Sequence, residues 1–530
     1  MRRISPDRLL VVLALAFFLL AGAAMLQTSA TFDEIVFPAV GARGIHTGDF
    51  SIVNDHPRLA QYLYGLPVYA MDVNYPAEQG QWVPASRYQY ARVLLWSSGN
   101  HAERIIAVTR LVALIVGTLT VVATGMASRR SLGAWAALAA AALLAFMPDI
   151  LGHSGVAYND VPLALGLLLS VYALDAAVRD PVPWRVALAA LACALTVCVK
   201  YSALVLGPIL LALLAMEALS GRWRDAAWRR RVAIGVPVFA LVAYLTIALL
   251  YLGDWRLGAF RAGLLDLTQN ALAGRVAFLW GEHKVGGWWY FFPVAFLLKT
   301  PLALHALIVV AVAGAWWAGA GASWRALLAH PMRAPAVAGA IFLAALLAAH
   351  VNIGLRHALA MMPLVCILVA GGVAAAWERS RGAARAAIAV LFAGYAASTL
   401  SQYPWFLSYV SEYARGRPLY ETLVDSNTDW GQGLLALRRF MRERGVDEVG
   451  LGYFGSAPPE AYGISYVPMP SFFPLLGGHP GHPRYLAVSA TLLTGIGVDG
   501  DPYARLRAAQ PAAVVGGSLY VFDTATLGRK

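Results

Sequence analysis

Long apolar stretches broken by short basic turns run through the chain as far as residue 402, and a mixed polar, strand-like pattern takes over beyond it. An apolar segment of about 20 residues crosses the hydrocarbon core of a bilayer as a helix, and about eleven such segments, some of them short, can be placed here. They fall near 9–26, 104–126, 132–148, 161–178, 186–199, 201–219, 233–252, 291–313, 334–350, 358–376 and 386–402. The first is read as a retained helix and not as a secretory signal, because it leads straight into an acid pair with no convincing small-residue cleavage site before it.

Two connections, 27–103 and 253–290, are too long to be simple turns, and long loops usually carry function. In the first, "HPRLAQYLYGLPVYAMD" has the apolar spacing of an amphipathic helix in the outer interface, with Tyr62, Tyr64 and Tyr69 expected at headgroup depth. In the second, "WGEHKVGGWWYFFP" crowds aromatics at a membrane boundary beside Glu282, His283 and Lys284. Residues 403–530 read as a small α/β domain, with strand-like "VGLGYFG", "YLAVSA" and "AAVVGGSLYVFD", the last carrying a Gly-Gly hairpin signal. Its first helix is expected to begin inside "DSNTDWGQGLLALRRFMRERG", capped by Asp or Asn, with Leu434, Leu435, Leu437, Phe440 and Met441 on its apolar face.

Composition agrees with the pattern: 59% hydrophobic residues, 13% charged residues and a mean hydropathy of +0.61 belong to a polytopic membrane protein. Basic residues recur in alternate turns: Arg2, Arg3 and Arg8; Arg129 and Arg130; Arg179 and Arg185; "GRWRDAAWRRR"; Arg325 and Arg333; "WERSRGAAR". The positive-inside rule makes these turns cytoplasmic, and the acid pair and the C-terminal domain extracytoplasmic. The same turns explain most of the net charge of +12, so a nucleic-acid partner is rejected. Cys193, Cys198 and Cys366 all fall within spans and lack metal-ligand spacing, which makes them core residues.

Ionisable groups gather at the outer ends of the helices. Asp33 and Glu34 follow the first span, and Asp160 in "HSGVAYNDVPLAL" precedes the fourth. Two carboxylates so placed can face one aqueous cleft, one as base and the other tuning charge or holding a cation, although each position also suits a helix end or cap. Lys200 interrupts the apolar run 186–219 and, placed at an outer turn, needs an anion. Arg356 and His357 stand at the outer mouth of the tenth span, beside Gly354. Snorkelling to lipid phosphates accounts for Arg356 alone, but with Lys200, Arg275, His283 and Lys284 on the same side a phosphate-bearing substrate is the better reading. "DSNTDWGQG" has the alternate acids of a calcium loop, yet Trp430 and Ala436 stand where that loop needs Gly and Glu, so capping and turn formation are favoured.

The motifs "FDE", "HPRL", "YNDVPLAL", "VKYSAL", "WWYFFPVAFLLKTPLAL", "NIGLRHALAMMP" and "DSNTDWGQ", in that order, resemble the bacterial phospholipid-carrier-dependent glycosyltransferases of the GT-C superfamily. That group is similar to the family 39 protein O-mannosyltransferases and the lipid A aminoarabinose transferases. The resemblance implies a GT-C transmembrane catalytic domain over 1–402, with about eleven helices, and an extracytoplasmic α/β domain over 403–530. It implies a polyprenyl-phosphate sugar as donor substrate and an acceptor protein, lipid or glycan met at the outer face of a bacterial inner membrane. Asp33, with Glu34 beside it, matches the family's catalytic acid and Asp160 its second acidic motif, in an inverting displacement with Asp33 as base. Lys200 and Arg356, followed by His357, His283 and Lys284, are carried as donor-phosphate candidates. His56 and Arg58 are carried as acceptor or loop residues, Arg58 standing where the group often has a second proline. No cofactor is assigned and a divalent cation is left open. A transporter or flippase of lipid-linked sugars would place ionisable groups at mid-membrane in paired broken helices, and a non-catalytic envelope assembly protein would leave the facing charges unexplained.

Overall fold

The computed structural model describes residues 5–77, 82–319 and 322–527. Arg2 and Arg3, and the side chain of Arg325, on which the orientation reading partly rests, lie outside the described residues. A helix stands at each of the predicted spans. α1 (Pro6–Met25) leads into the first long loop, which folds into α2 (Val36–Thr47), α3 (Arg58–Tyr69) and the short α4 (Arg87–Arg92). Next come α5 (Ala102–Leu132), α6 (Ala134–Ala145), the short α7 (Pro148–His153), α8 (Asp160–Arg179), α9 (Pro183–Val199), α10 (Leu206–Leu219) and α11 (Ala226–Leu250). α12 (Gly258–Ala273) and a hairpin of β1 (Val276–Leu279) and β2 (Glu282–Val285) fill the second long loop. The membrane part closes with α13 (Phe291–Lys299), α14 (Leu302–Gly319), α15 (Trp324–Ala329), α16 (Arg333–Leu347), α17 (Met362–Arg379) and α18 (Ala383–Leu400).

Among the described residues eight helical stretches are long and apolar enough to cross a membrane, and α6, α9 and α16 are shorter apolar helices at three other predicted positions. The predicted span 291–313 is broken: Pro301 drives Thr300 into an extended conformation, so α13 ends and α14 begins. The apolar run around Lys200 splits as expected, with α9 ending at Val199, an extended Lys200, a 3-10 turn over Tyr201–Val205, and then α10. Basic turns collect at one end of the bundle and meet acids there: Arg129 pairs with Asp7, Arg179 with Asp175, Arg185 and Arg231 with Asp180, and Arg333 with both Asp175 and Glu217. The opposite end carries the two long loops and the C-terminal domain.

In the first loop, α2 and α3 cross with backbones touching, because Gly41 lies against Gln61 and Gly65 where any Cβ would collide with main chain. This packing corrects the expectation that Tyr64 sits at headgroup depth. Tyr64 is fully buried and its hydroxyl donates to the carbonyl of Tyr158 at 2.8 Å, while Tyr62 is half-buried and Tyr69 alone of the three is exposed.

The C-terminal domain is a five-stranded sheet in the order β4-β3-β5-β7-β6, built from β3 (Val449–Gly452), β4 (Tyr466–Pro468), β5 (Tyr485–Ser489), β6 (Ala513–Val515) and β7 (Leu519–Asp523). β3 runs parallel to β4 and β5, and β7 is antiparallel to β5 and β6. Gly516 and Gly517, both with positive φ, make the β6–β7 turn that the Gly-Gly signal predicts. Helix α19 (Leu434–Arg444) packs Leu434, Leu437, Phe440 and Met441 into a core shared with Val449, Leu451 and residues of α2, α3 and α5. Its cap differs from expectation. Gly433 precedes the helix with no side-chain cap, the Leu434 N–H is satisfied by Ser29 Oγ at 3.0 Å, and the Asp and Asn residues of the motif are committed elsewhere.

Candidate active site

The turn after α1 sends its adjacent acids in different directions. Glu34 is fully buried and takes Arg110 of α5 on both oxygens, at 2.7 and 2.9 Å, together with the Thr31 N–H at 2.9 Å. Arg110 also donates to the carbonyls of Met25, Thr28 and Ser29, which lie at or beyond the end of α1. Glu34 is thereby a structural lash, and Asp33 faces a cleft. Its Oδ1 accepts from the Tyr88 hydroxyl at 2.6 Å and its Oδ2 lies 3.0 Å from Arg356 Nη2.

Asp160 opens α8 without capping it: Lys200 Nζ lies 2.5 Å from Asp160 Oδ1, and Arg356 Nη1 lies 3.7 Å from Asp160 Oδ2. Arg356 therefore bridges the two acids, and its Nε and Nη1 have no hydrogen-bond partner among the described residues. The guanidinium lies over two aromatic rings that meet at a right angle, 4.4 Å from the Trp430 ring and 5.1 Å from that of Tyr158, the ring centroids themselves 5.8 Å apart. Arg stacks well in this way because its planar cation is weakly hydrated.

The cleft is lined by Asp33, Asp55, His56, Arg87, Tyr88, Tyr158, Lys200, Arg275, Arg356 and His357 with several apolar residues of α2 and α12. Four cations face two carboxylates, and Asp160 behind Lys200 still leaves one positive charge in excess, which suits an anionic ligand. Burial pushes His56 down to about 4, so this imidazole is neutral near pH 7, with Tyr158 Oη 3.4 Å from Nε2 and Asn159 Nδ2 3.2 Å from Nδ1. Burial and then the Asp33 carboxylate raise Tyr88 well above the ordinary phenol, which keeps it protonated and donating.

Of the residues singled out in the sequence, Asp33, Asp160, Lys200, Arg356, His357 and His56 come together here. Glu34 is turned away. Arg58 stacks on Phe50 and Tyr251, at 4.9 and 4.5 Å, outside the cleft lining. His283 and Lys284 are exposed on β2, also outside the lining, whereas Arg275 at the base of the hairpin does reach it. Tyr88, Asp55 and Arg87 are additions. Arg87 pairs with Asp55 at 2.9 Å, and the signal that marks Asp55 is its place immediately before His56. Among the described residues no group of three or more His, Cys, Asp or Glu side chains converges as metal ligands would.

Residues 102–252 match the family model for dolichyl-phosphate-mannose-protein mannosyltransferase. The fold is shared with the apo oligosaccharyltransferase of Archaeoglobus fulgidus at 14% identity and a TM-score of 0.50, over 79% of this chain and 57% of that one. ArnT from Cupriavidus metallidurans bound to undecaprenyl phosphate aligns over 98% of both chains at 14% identity, with a TM-score of 0.45. No curated protein sequence matches the chain. The fold shared with the archaeal oligosaccharyltransferase is thus a polytopic helical bundle, joined here to a small sheet domain at the C-terminus.

Proposed function

We propose that this chain is an integral-membrane glycosyltransferase that moves a sugar from a polyprenyl-phosphate carrier to an acceptor hydroxyl on the extracytoplasmic side, with inversion. One observation carries the reading: Asp33 at the mouth of α1 shares Arg356 with Asp160 in a cleft that holds a surplus of cations. The family match over residues 102–252 supports the same class of donor.

In this reading Asp33 accepts the acceptor's proton as the acceptor oxygen bonds to the anomeric carbon. The carbon–oxygen bond to phosphate breaks, and the electron pair leaves with the polyprenyl phosphate, a good leaving group that needs no strong general acid. Arg356 and Lys200, with Arg275 and neighbouring His357, stabilise the departing phosphate. Arg356 brings two nitrogens, Nε and Nη1, that make no hydrogen bond among the described residues, and an ammonium has three donors, of which Asp160 engages Lys200 from one side. Asp160 orients both cations, and Glu34 acts through Arg110 on the position of the turn. His283, Lys284 and Arg58 take no part in the transfer.

The test is mass spectrometry of lipids and glycans from a strain lacking the gene. A carrier-linked sugar should accumulate while an acceptor loses that sugar, which would also identify both. Unchanged lipid and glycan pools would remove the proposal.

A further inference from the structure

Segment 424–432 of the outer domain is wired to both halves of the catalytic ion pair. Asn427 Oδ1 accepts from the Leu355 N–H at 2.9 Å, and Ser426 Oγ donates to the Ile353 carbonyl at 3.0 Å, so the residues just before Arg356 are fixed from this side. The Trp430 carbonyl accepts from the Phe32 N–H at 2.8 Å, and Ser456 Oγ donates to the Phe32 carbonyl at 2.6 Å, so the residue just before Asp33 is held on both its polar groups. Ser29 extends the same seam, giving its N–H to Gln432 O at 3.1 Å and its hydroxyl to Gly431 O at 2.9 Å. Between these anchors the Trp430 indole, only 2% exposed, lies 4.4 Å from the Arg356 guanidinium.

We propose that the outer domain is a working part of the cleft and that Trp430 is its positioning residue: with Tyr158 it clamps Arg356, while its carbonyl holds the turn that carries Asp33. Helix capping or simple domain docking would leave the ring's place on the guanidinium without a purpose. A clamp gives it one. Arg356 ends a long side chain with four rotatable bonds, and two of its nitrogens, Nε and Nη1, make no hydrogen bond among the described residues. Held in the corner that the two perpendicular rings form, it keeps one set of N–H directions before the ligand arrives. The inference rests on the functional reading above for the identity of that ligand, and on the geometry alone for the clamp.

The test is a double-mutant cycle on the full-length protein in lipid nanodiscs, with Trp430→Leu, Trp430→Phe, Arg356→Gln and the double variant Trp430→Leu/Arg356→Gln. The probe is undecaprenyl monophosphate, read by its equilibrium affinity. Loss of a desolvated cation–π contact should weaken binding about tenfold in Trp430→Leu, and Trp430→Phe should recover most of that loss. In the Arg356→Gln background the second substitution should add little. Equal losses from Trp430→Leu in both backgrounds would overturn the clamp, as would failure of Phe to rescue. The same cycle read as apparent unfolding temperature, with no ligand, must also show coupling, and additivity there would overturn the clamp independently. Failure of the wild type to bind the probe would instead count against the functional reading, leaving the clamp to be judged by the unfolding cycle.

Discussion

Asp33 and Arg356 meet at 3.0 Å although 323 positions separate them in the chain, one on the turn after α1 and the other on the 3-10 segment Leu355–Met361 before α17. One guanidinium thus touches the proposed base and lines the same cleft as Lys200 and Arg275, so a ligand that draws Arg356 away would also disturb Asp33.

Asp33→Asn keeps the volume and most of the hydrogen-bonding capacity of the side chain but removes the proposed base. Turnover should fall about 10²–10⁴-fold. Purified variant given a polyprenyl-phosphate sugar and acceptor should fold and be nearly inactive, and a wild-type rate would move the base to another group in the cleft.

Glu34 should behave in the opposite way. Removing one partner of a buried ion pair costs about 3–5 kcal/mol, so Glu34→Ala should show up as lost expression and a lower unfolding temperature. Glu34→Gln retains an acceptor for Arg110, which also holds three backbone carbonyls, and the variant that folds should keep its turnover. A folded Glu34→Gln with activity as low as Asp33→Asn would contradict the division of labour between these neighbours.

The spans were legible in the sequence because hydrophobic length is a local property that a bilayer makes obligatory. So was the meeting of Asp33, Asp160, Lys200 and Arg356, each an ionisable group at the end of an apolar run, where burial without a partner is costly. Tyr88 was not, because nothing in "RYQYAR" distinguishes a tyrosine that reaches a carboxylate 55 residues earlier from one that packs in a core. The motif "DSNTDWGQ" misled for a related reason: Asn427 and Asp429 do have cap chemistry, but Asn427 gives it to Leu355 and Asp429 to Thr491, both distant in the chain. Adjacent Asp33 and Glu34 read as one acid pair, and only the position of Arg110 on α5 separates their roles.

Lys200→Met alone should be harmful to folding as well as to donor use, because it strands the buried Asp160 carboxylate. Adding Asp160→Asn removes the stranded charge. The double variant should regain roughly 2 kcal/mol or more of the lost stability, in line with neutral replacement of buried pairs, yet remain poor in undecaprenyl phosphate binding. Full recovery of binding in the double variant would return Lys200 to a purely structural role.

Asp429 gives the C-terminal domain a pH signature of known sign. Burial pushes its carboxyl up to about 7, outweighing the Thr491 N–H that donates to its Oδ2 at 2.8 Å. The folded state therefore holds this proton to higher pH than the unfolded chain, whose carboxyl titrates near 3.8. With more protons bound in the folded state, stability falls as pH rises through that window and levels off above about 7. Asp429→Asn keeps an oxygen for the Thr491 N–H and has no proton to lose. Its apparent unfolding temperature should exceed that of the wild type at pH 8, by an amount on the order of 2 kcal/mol in stability, and the gap should narrow steadily toward pH 5. The difference between variant and wild type isolates this residue from Asp425, which burial also pushes up, to about 6, against the pull of Arg356. A gap that stays constant with pH would show that Asp429 is not the titrating group, and a gap of the opposite slope would mean that the folded protein holds it as a carboxylate.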